Sequence, residues 1–382
     1  MKNYIFGTGP FAVEVAKKLN NFNIPVDAFL KLGVSSKDSL LKKDGSIPVI
    51  YLNDNSSINK SSNIIITKKA IIMGDTIDYL RKNNYKNVYV VSEDILYSEQ
   101  TSFEDIKKYI DKVDLSVPFI NYLEMNVVDH CNLNCKGCAH FSNIYDNNCV
   151  DLEQYKSDLK IISEKFNVYY FRILGGEPLL HPNLKQLIEI TRQLLVNTRI
   201  VIVTNGLLIP KLSEDVMRLI ADNDIMISIS LYKPTFEKLD DIIKILNKYN
   251  IKFLINDDYF RPISPIEKFQ TSLSLEKESV ENNSDKVCTG RFCRFLRNGK
   301  ISKCYYPLLI EILNRRYGTN FELSKSDYVE LSTIENGWDV IELLNNRIPF
   351  CDYCREEIYE FDWESHFKND KSVSNFVLKK IK

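Results

Sequence analysis

Cys131-Asn132-Leu133-Asn134-Cys135-Lys136-Gly137-Cys138 places three thiols in a CxxxCxxC run. Thiolates at such tight spacing bind three corners of a metal cluster and leave the fourth metal without a protein ligand, open to a reactant. A structural zinc site normally takes four protein ligands, often as two pairs, so three close cysteines match it poorly. The chemistry to expect is that of an incompletely ligated iron–sulfur cluster.

Further along, the apolar run Tyr169 to Leu174 reads as a buried strand ending in Gly175-Gly176-Glu177-Pro178. Paired glycines let backbone approach a ligand closely, and a proline stops the strand. A cysteine triad followed by a strand-terminal GGEP resembles the radical S-adenosylmethionine (radical SAM) superfamily. The resemblance implies a [4Fe-4S] cluster on Cys131, Cys135 and Cys138, with its open iron chelated by the methionine part of S-adenosylmethionine. Gly175, Gly176, Glu177 and Pro178 would receive the cofactor's amino group. A reductant such as flavodoxin or ferredoxin would drive cleavage of the cofactor to a 5′-deoxyadenosyl radical that abstracts hydrogen from a substrate.

The same resemblance covers two later strand ends. Thr204-Asn205-Gly206 closes one, and Ile227-Ser228-Ile229-Ser230 closes the next, where period-two alternation puts both serines on one face. Asn205 and Ser230 fall where the family contacts the cofactor, Ser230 at its ribose. The alternative for Ser230 is a hydroxyl satisfied by neighbouring backbone. The family often carries an aromatic residue just before the third cysteine; here it is Gly137, with His140 or Phe141 as candidates to fill the space. Ile251 to Ile255 lacks a glycine-rich adenine motif, so adenine contacts stay unassigned.

Cys288, Gly299 and Cys304, followed by Cys351-Asp352-Tyr353-Cys354, resemble the auxiliary-cluster extensions called SPASM and Twitch, in the one-cluster Twitch form. The resemblance implies a second [4Fe-4S] cluster on Cys288, Cys304, Cys351 and Cys354, with Cys293 as an alternative to Cys288. A zinc ribbon has similar CxxC pairs and is the competing reading. The acid-free basic run Lys286, Arg291, Arg294, Arg297, Lys300 and Lys303 either balances the cluster's negative charge or receives a substrate phosphate. Cys149 reads as a thiol without a role, and His181 as a cap or packing residue at a helix start.

These groups need elements to position them, and the chain alternates strands and helices throughout, an α/β class. Strands are expected at 4–6, 26–30, 47–50, 64–67 and 88–91, then at 124–129, 169–174, 199–204, 225–231 and 251–255. Helices fall near 152–166, 184–195, 212–222 and 236–249, with Leu184, Leu187, Ile188, Thr191, Leu194 and Leu195 on one buried face. With the resemblances, this alternation implies three domains. Residues 1–117 form a Rossmann-like domain resembling those that precede sugar acyltransferases, residues 118–285 a radical SAM partial (β/α)6 barrel, and residues 286–382 a small cysteine-rich auxiliary-cluster domain.

In the first domain Gly7-Thr8-Gly9-Pro10-Phe11-Ala12 forms a GxGxxA turn opening a helix, and the helix start is a place for a nucleotide phosphate. Against dinucleotide binding, Lys31 stands where an acid would grip a ribose, and Asp27 comes too early in its strand. Gly7 and Gly9 therefore admit two readings, a nucleotide site or a tight turn in a docking domain.

Composition sets the outer bounds. Lys plus Arg number 50 against 51 acids in 382 residues, which argues against nucleic acid as a partner. The apolar start at Met1 to Phe6 is too short for a signal peptide, and no run nears the roughly 18 apolar residues of a membrane span. A cytoplasmic, reduced protein is expected, whose nine cysteines serve metals rather than disulfides. The leading function is oxidation, epimerisation or rearrangement of a sugar or nucleotide-linked sugar. Modification of a peptide or protein is the alternative, and a non-catalytic metal-binding protein is a third reading against which the GGEP loop argues.

Overall fold

The computed structural model describes residues 1–32, 47–52, 58–67, 73–96, 102–256, 263–278, 284, 288, 293–365 and 372–378. The chain divides into two compact units, Met1–Asn121 and Tyr122–Lys382.

The first unit is a six-stranded sheet in the order β3-β2-β1-β4-β5-β6. Its strands are β1 (Asn3–Phe6), β2 (Ala28–Leu32), β3 (Val49–Leu52), β4 (Asn63–Ile66), β5 (Asn87–Val91) and β6 (Ile110–Lys112). All pair in parallel except β6, which closes the edge antiparallel to β5. The third strand starts at Val49, two residues later than the apolar pattern suggests, because Pro48 has no N–H for the ladder. Helix α1 (Pro10–Asn21) buries Ala12, Val15, Ala16 and Leu19 against Ile5, Phe29 and Ile65, while α2 (Met73–Lys82) and α3 (Phe103–Lys107) complete the unit. Asp27 accepts the Asn3 backbone N–H at 2.8 Å, and Lys31 is exposed beside the Tyr51 ring.

The second unit is built on an eight-stranded sheet, ordered β11-β10-β9-β8-β7-β13-β14-β15. Strands β7 (Phe119–Val128), β8 (Asn167–Gly175), β9 (Arg199–Thr204), β10 (Met226–Ile229) and β11 (Phe253–Ile255) alternate with helices. These are α4 (Leu152–Lys165), α5 (Leu184–Leu194), α6 (Glu214–Asp222), the short α7 (Lys233–Phe236) and α8 (Leu239–Lys248). Apolar periodicity dictates their packing. Leu184, Leu187, Ile188 and Thr191 are all buried on α5, and Thr191 meets the buried Tyr155 hydroxyl of α4 at 2.6 Å. Asp151 caps α4 by accepting from the Glu153 and Gln154 N–H groups.

This mixed architecture with its parallel sheet is consistent with a radical SAM partial barrel. A sixth parallel strand, β13 (Cys293–Arg297), joins the β7 edge rather than extending the sheet beyond β11. It turns through Asn298 and Gly299, both at positive φ, into antiparallel β14 (Lys300–Ser302), which pairs with β15 (Tyr328–Glu330). Strand β12 (Lys268–Leu273) lies outside this sheet, paired antiparallel with β16 (Cys354–Asp362). Leu273, Phe295, Leu309, Phe321, Phe350 and Tyr353 form an aromatic-rich core beneath these additions.

Candidate active site

The three-cysteine loop starts where β7 stops. Beyond Val128 the chain is held by an Asp129 N–H bond to Asn148 O and by a bridge from Val128 to Cys149. The end of β8 runs alongside, with Gly176 N–H donating to Val128 O at 2.7 Å and Glu177 N–H to His130 O at 3.0 Å. A Cβ on Gly175 would sit 2.2 Å from Val128 O, and one on Gly176 would sit 2.0 Å from His130 O. The close approach demanded by the paired glycines is therefore to the chain's own backbone at the root of the cysteine loop.

Glu177 turns inward and is fully buried. Its carboxylate accepts from Thr204 Oγ1 at 2.7 Å, Asn205 N at 2.9 Å and Leu179 N at 3.1 Å. Burial pushes its proton affinity up to about 7 despite these three donors. Pro178 begins the following turn, Pro178–Leu180. Asn205, fixed through its backbone by Glu177, sends Nδ2 to Asn132 Oδ1 at 2.7 Å and towards Cys131 Sγ at 3.7 Å. A polar relay thus runs from the GGEP loop to the first cysteine. Ser230 sits just past β10 with its N–H donating to Thr204 O. His181 accepts from Asn183 N at Nδ1 and meets Val150 O through Nε2, tying down the start of α5.

The three thiols share one buried environment. Burial, the Glu177 charge and the neighbouring Cys138 push Cys131 up to about 12; burial and the charges of Cys138 and Cys131 raise Cys135, and burial raises Cys138. Backbone N–H groups oppose this, such as Leu133 N, 3.5 Å from Cys131 Sγ. Thiols that repel one another as anions, with N–H donors aimed at sulfur, fit a cationic metal centre, which deprotonates coordinating thiols outright. The donor set suits iron–sulfur ligation.

Two aromatic residues that no sequence pattern marks complete the loop's surroundings. Trp363, 228 positions from Cys135, donates its indole N–H to Cys135 Sγ at 3.1 Å and stacks on Tyr232 at 5.2 Å. Lys136 is clasped by Glu364 through both backbone and side chain. Gly137, at φ 60°, has the Phe361 ring and Asn375 O so close that a Cβ would fall within 2.5 Å of each. Glycine before the third cysteine is thus dictated by a chain segment that packs over it. Phe141 is buried in the core against Phe376 and Tyr306. His140 stacks on Tyr305, bonds Asn126 through Nδ1 at 2.9 Å, and is held neutral at about 4 by burial and by Arg172 and Arg297.

Cys288, Cys304, Cys351 and Cys354 come together from segments distant in sequence. Cys304 is raised by burial and then by the charges of Cys354, Cys351 and Cys288. Lys303 and Arg347 favour the thiolate of Cys351. Cys293 opens β13, and its side chain lies outside the described residues, as do Lys286 and Arg291 of the basic run. The remaining cations of that run have protein partners. Arg297 forms a bidentate pair with Asp129 at 2.7 and 2.8 Å, Arg294 binds Asn345, Lys303 binds Asn346 O, and Lys300 lies 4.0 Å from Glu330. Among the described residues no three His, Cys, Asp or Glu side chains converge tightly enough to chelate a single ion.

A cavity of about 480 Å³ connects the two sets. Gly137, Cys138, His140 and Tyr232 line it, as do Cys288, Cys304, Cys351 and Cys354, with β12 residues Lys268, Gln270 and Ser272 also in the wall.

Among the described residues no helix is long and apolar enough to cross a membrane. The GTP 3′,8-cyclase of Syntrophomonas wolfei is 33% identical over 99 residues, covering 25% of this chain and 30% of that protein. That of Helicobacter pylori is 23% identical over 256 residues, 62% of this chain and 76% of the relative. The chain thus spans about three-tenths of the length of the first of these relatives. The crystal structure of BtrN in complex with AdoMet and 2-DOIA is 16% identical, with a TM-score of 0.38, over 69% of this chain and 100% of that one. Streptococcus suis SuiB bound to S-adenosylmethionine is 22% identical, with a TM-score of 0.32, over 38% of this chain and 35% of that one. The model of the Radical SAM superfamily matches residues 125–257, the segment that runs from the end of β7 through β11 and carries the cysteine loop, and the match to that superfamily implies a [4Fe-4S] cluster and S-adenosylmethionine.

Proposed function

We propose that the protein is a radical SAM enzyme acting on a sugar or nucleotide-linked sugar in glycan or natural-product biosynthesis. The observation that carries this is the cavity running from Cys138 and Tyr232 to Cys288, Cys304, Cys351 and Cys354. When bound, the cluster and S-adenosylmethionine supply reductive carbon–sulfur cleavage and a 5′-deoxyadenosyl radical that abstracts hydrogen. The chain's part is to hold and shield. Cys131, Cys135 and Cys138 hold the first cluster, and the Glu177–Asn205 relay fixes the shape of its loop. Gly175 to Pro178, Asn205 and Ser230 face the cofactor, and the cavity walls exclude water around the reacting carbon. Cys288, Cys304, Cys351 and Cys354 hold a second [4Fe-4S] cluster, with Lys303 and Arg347 offsetting its charge. With four cysteines in place, a cluster there would keep no open position for substrate, and the chemistry it would supply is electron transfer. A flavodoxin or ferredoxin serves as reductant.

The sugar reading draws on the first unit. Strand order reverses between β1 and β4, the place where open α/β sheets bind ligands, and Gly7 and Gly9 lie at the end of β1. A Cβ on Gly7 would sit 2.6 Å from Thr67 Oγ1, so the turn requires that glycine, whereas Gly9 has nothing within 4 Å of its Cβ position and leaves room for a phosphate at the α1 start.

The test is anaerobic reconstitution with iron and sulfide, then reduction and addition of S-adenosylmethionine, with 5′-deoxyadenosine assayed and iron counted. About eight irons per chain with deoxyadenosine formed supports a two-cluster radical enzyme. An intact, reducible cluster that forms no deoxyadenosine overturns it. Nucleotide-sugar binding that is lost in Gly9→Asp supports the substrate class; turnover of a peptide with no nucleotide bound turns the assignment to peptide modification.

A further inference from the structure

We propose that Trp363 tunes the first cluster, its indole N–H to Cys135 setting how readily the cluster takes an electron. The inference rests on the reading that Cys131, Cys135 and Cys138 carry an iron–sulfur cluster. Trp363 Nε1 lies 3.1 Å from Cys135 Sγ, and Cys135 is buried. A hydrogen bond to a cluster sulfur stabilises the more negative, reduced state, and so raises the reduction potential. Burial strengthens the effect, because water competes little for the sulfur.

The indole is held on several sides. Its backbone N–H donates to Glu267 O at 2.8 Å, its ring lies on Tyr232 with planes 16° apart, and the next residue, Glu364, clasps Lys136 beside the ligand. A merely space-filling tryptophan needs none of this aim. Trp363 also follows directly on β16, whose first residue is Cys354. One strand therefore carries a thiol of the second set at its start and delivers the hydrogen bond to the first set just past its end.

The experiment is an EPR-monitored redox titration of the reconstituted full chain without S-adenosylmethionine, comparing wild type with Trp363→Phe, which keeps a ring over Tyr232 and removes the donor. The expected result is equal iron content with a more negative midpoint in the variant. The shift should approach a tenfold change in the reduction equilibrium, about 59 mV for one electron. Coincident midpoints at full iron content overturn the inference and leave the proposed function standing. Failure of the wild type to assemble the first cluster overturns the functional reading and this inference together. If the variant itself loses the cluster, the wild-type contact decides. In a Trp338→Phe background labelled with indole-15N tryptophan, Trp363 is the one remaining tryptophan of the chain's 2. Pulsed EPR of the reduced cluster should then show coupling to the indole nitrogen, and its absence overturns the proposal.

Discussion

The Cys131–Cys138 loop is compact in sequence and takes its supports from across the second unit, whereas Cys288, Cys304, Cys351 and Cys354 are scattered in sequence and gathered by one local core. Around the first set the supports are polar and point at the loop: Glu177 through Asn205 to Cys131, Trp363 to Cys135, Glu364 to Lys136. Around the second set they are mainly aromatic. Phe350 and Tyr353 flank Cys351, their rings 5.1 Å apart, and Phe321 meets Tyr353 at 5.0 Å. Buried Asp327 staples the segments, its carbonyl accepting from Ser302 Oγ at 2.7 Å and its carboxylate from Phe350 N at 2.6 Å. The first arrangement orients ligands and adjusts charge; the second fixes distances. A site that must keep one position open for a cofactor would need the former, and a cluster with all positions filled would need chiefly the latter.

The largest test of this contrast removes one thiol from each set. Cys135→Ala should abolish deoxyadenosine formation and lower iron from about eight to about four per chain. Cys304→Ala should lower iron equally while deoxyadenosine is still produced, because the first loop and its polar supports are untouched. Loss of deoxyadenosine in both variants would show that the two sets form a single functional unit.

Next in size is a change at the root of the first loop. Gly176→Ala forces a Cβ to 2.0 Å from His130 O, a backbone atom that cannot swing away. A loss of about 3 kcal/mol in unfolding free energy is expected in the apo-protein by denaturant titration. A loss below about 1 kcal/mol would mean that β7 and β8 can part at their ends, and that the loop is less tightly founded than the contacts imply.

What could be read in the sequence follows the same division. The cysteine run, GGEP and the alternation of strands and helices are local patterns, and the structure has strands at 167–175, 199–204 and 226–229 close to where periodicity puts them. The supports are not local. Nothing near Trp363 marks it as a partner of Cys135, 228 positions away, and nothing in the run from Arg294 to Lys303 reveals that Asp129, Asn345 and Asn346 lie opposite. Gly137 could be seen as a departure from the family pattern, but its cause, the Phe361 ring above it, depends on how the chain returns. Pairing of β13 with β7 is likewise a long-range choice that period-two alternation in Cys293–Arg297 cannot specify.

Glu177 gives a test through pH. Burial raises its carboxyl from 4.5 to about 7, so the folded apo-protein holds a proton that the unfolded chain has released. Between those values the folded state binds more protons, and its stability falls as pH rises. The Glu177 contribution is fully present below about 4.5 and is lost by about 7. In Glu177→Gln that component disappears, and the stability difference between variant and wild type should change by about 3 kcal/mol across the window. A constant difference would mean that the donors from Thr204, Asn205 and Leu179 outweigh burial and keep the carboxylate ionised throughout.

The smallest expected effect separates two reasons for glycine. Gly299 sits at φ 74° in the two-residue turn between β13 and β14, yet the nearest atoms to its Cβ position are Gln154 Nε2 at 3.6 Å and Asp158 Oδ1 at 3.9 Å, ordinary contacts. Gly299→Ala should therefore cost only the left-handed backbone penalty, about 1 kcal/mol, against the steric cost at Gly176. Gly299→Asn should recover part of that loss, since asparagine tolerates this conformation, as Asn298 already does at φ 46°. Both variants should keep the iron content of the wild type. The aromatic core and Asp327 hold Cys304 independently of the turn, so a fall in iron in Gly299→Ala would show that the second set depends on fine positioning as much as the first does.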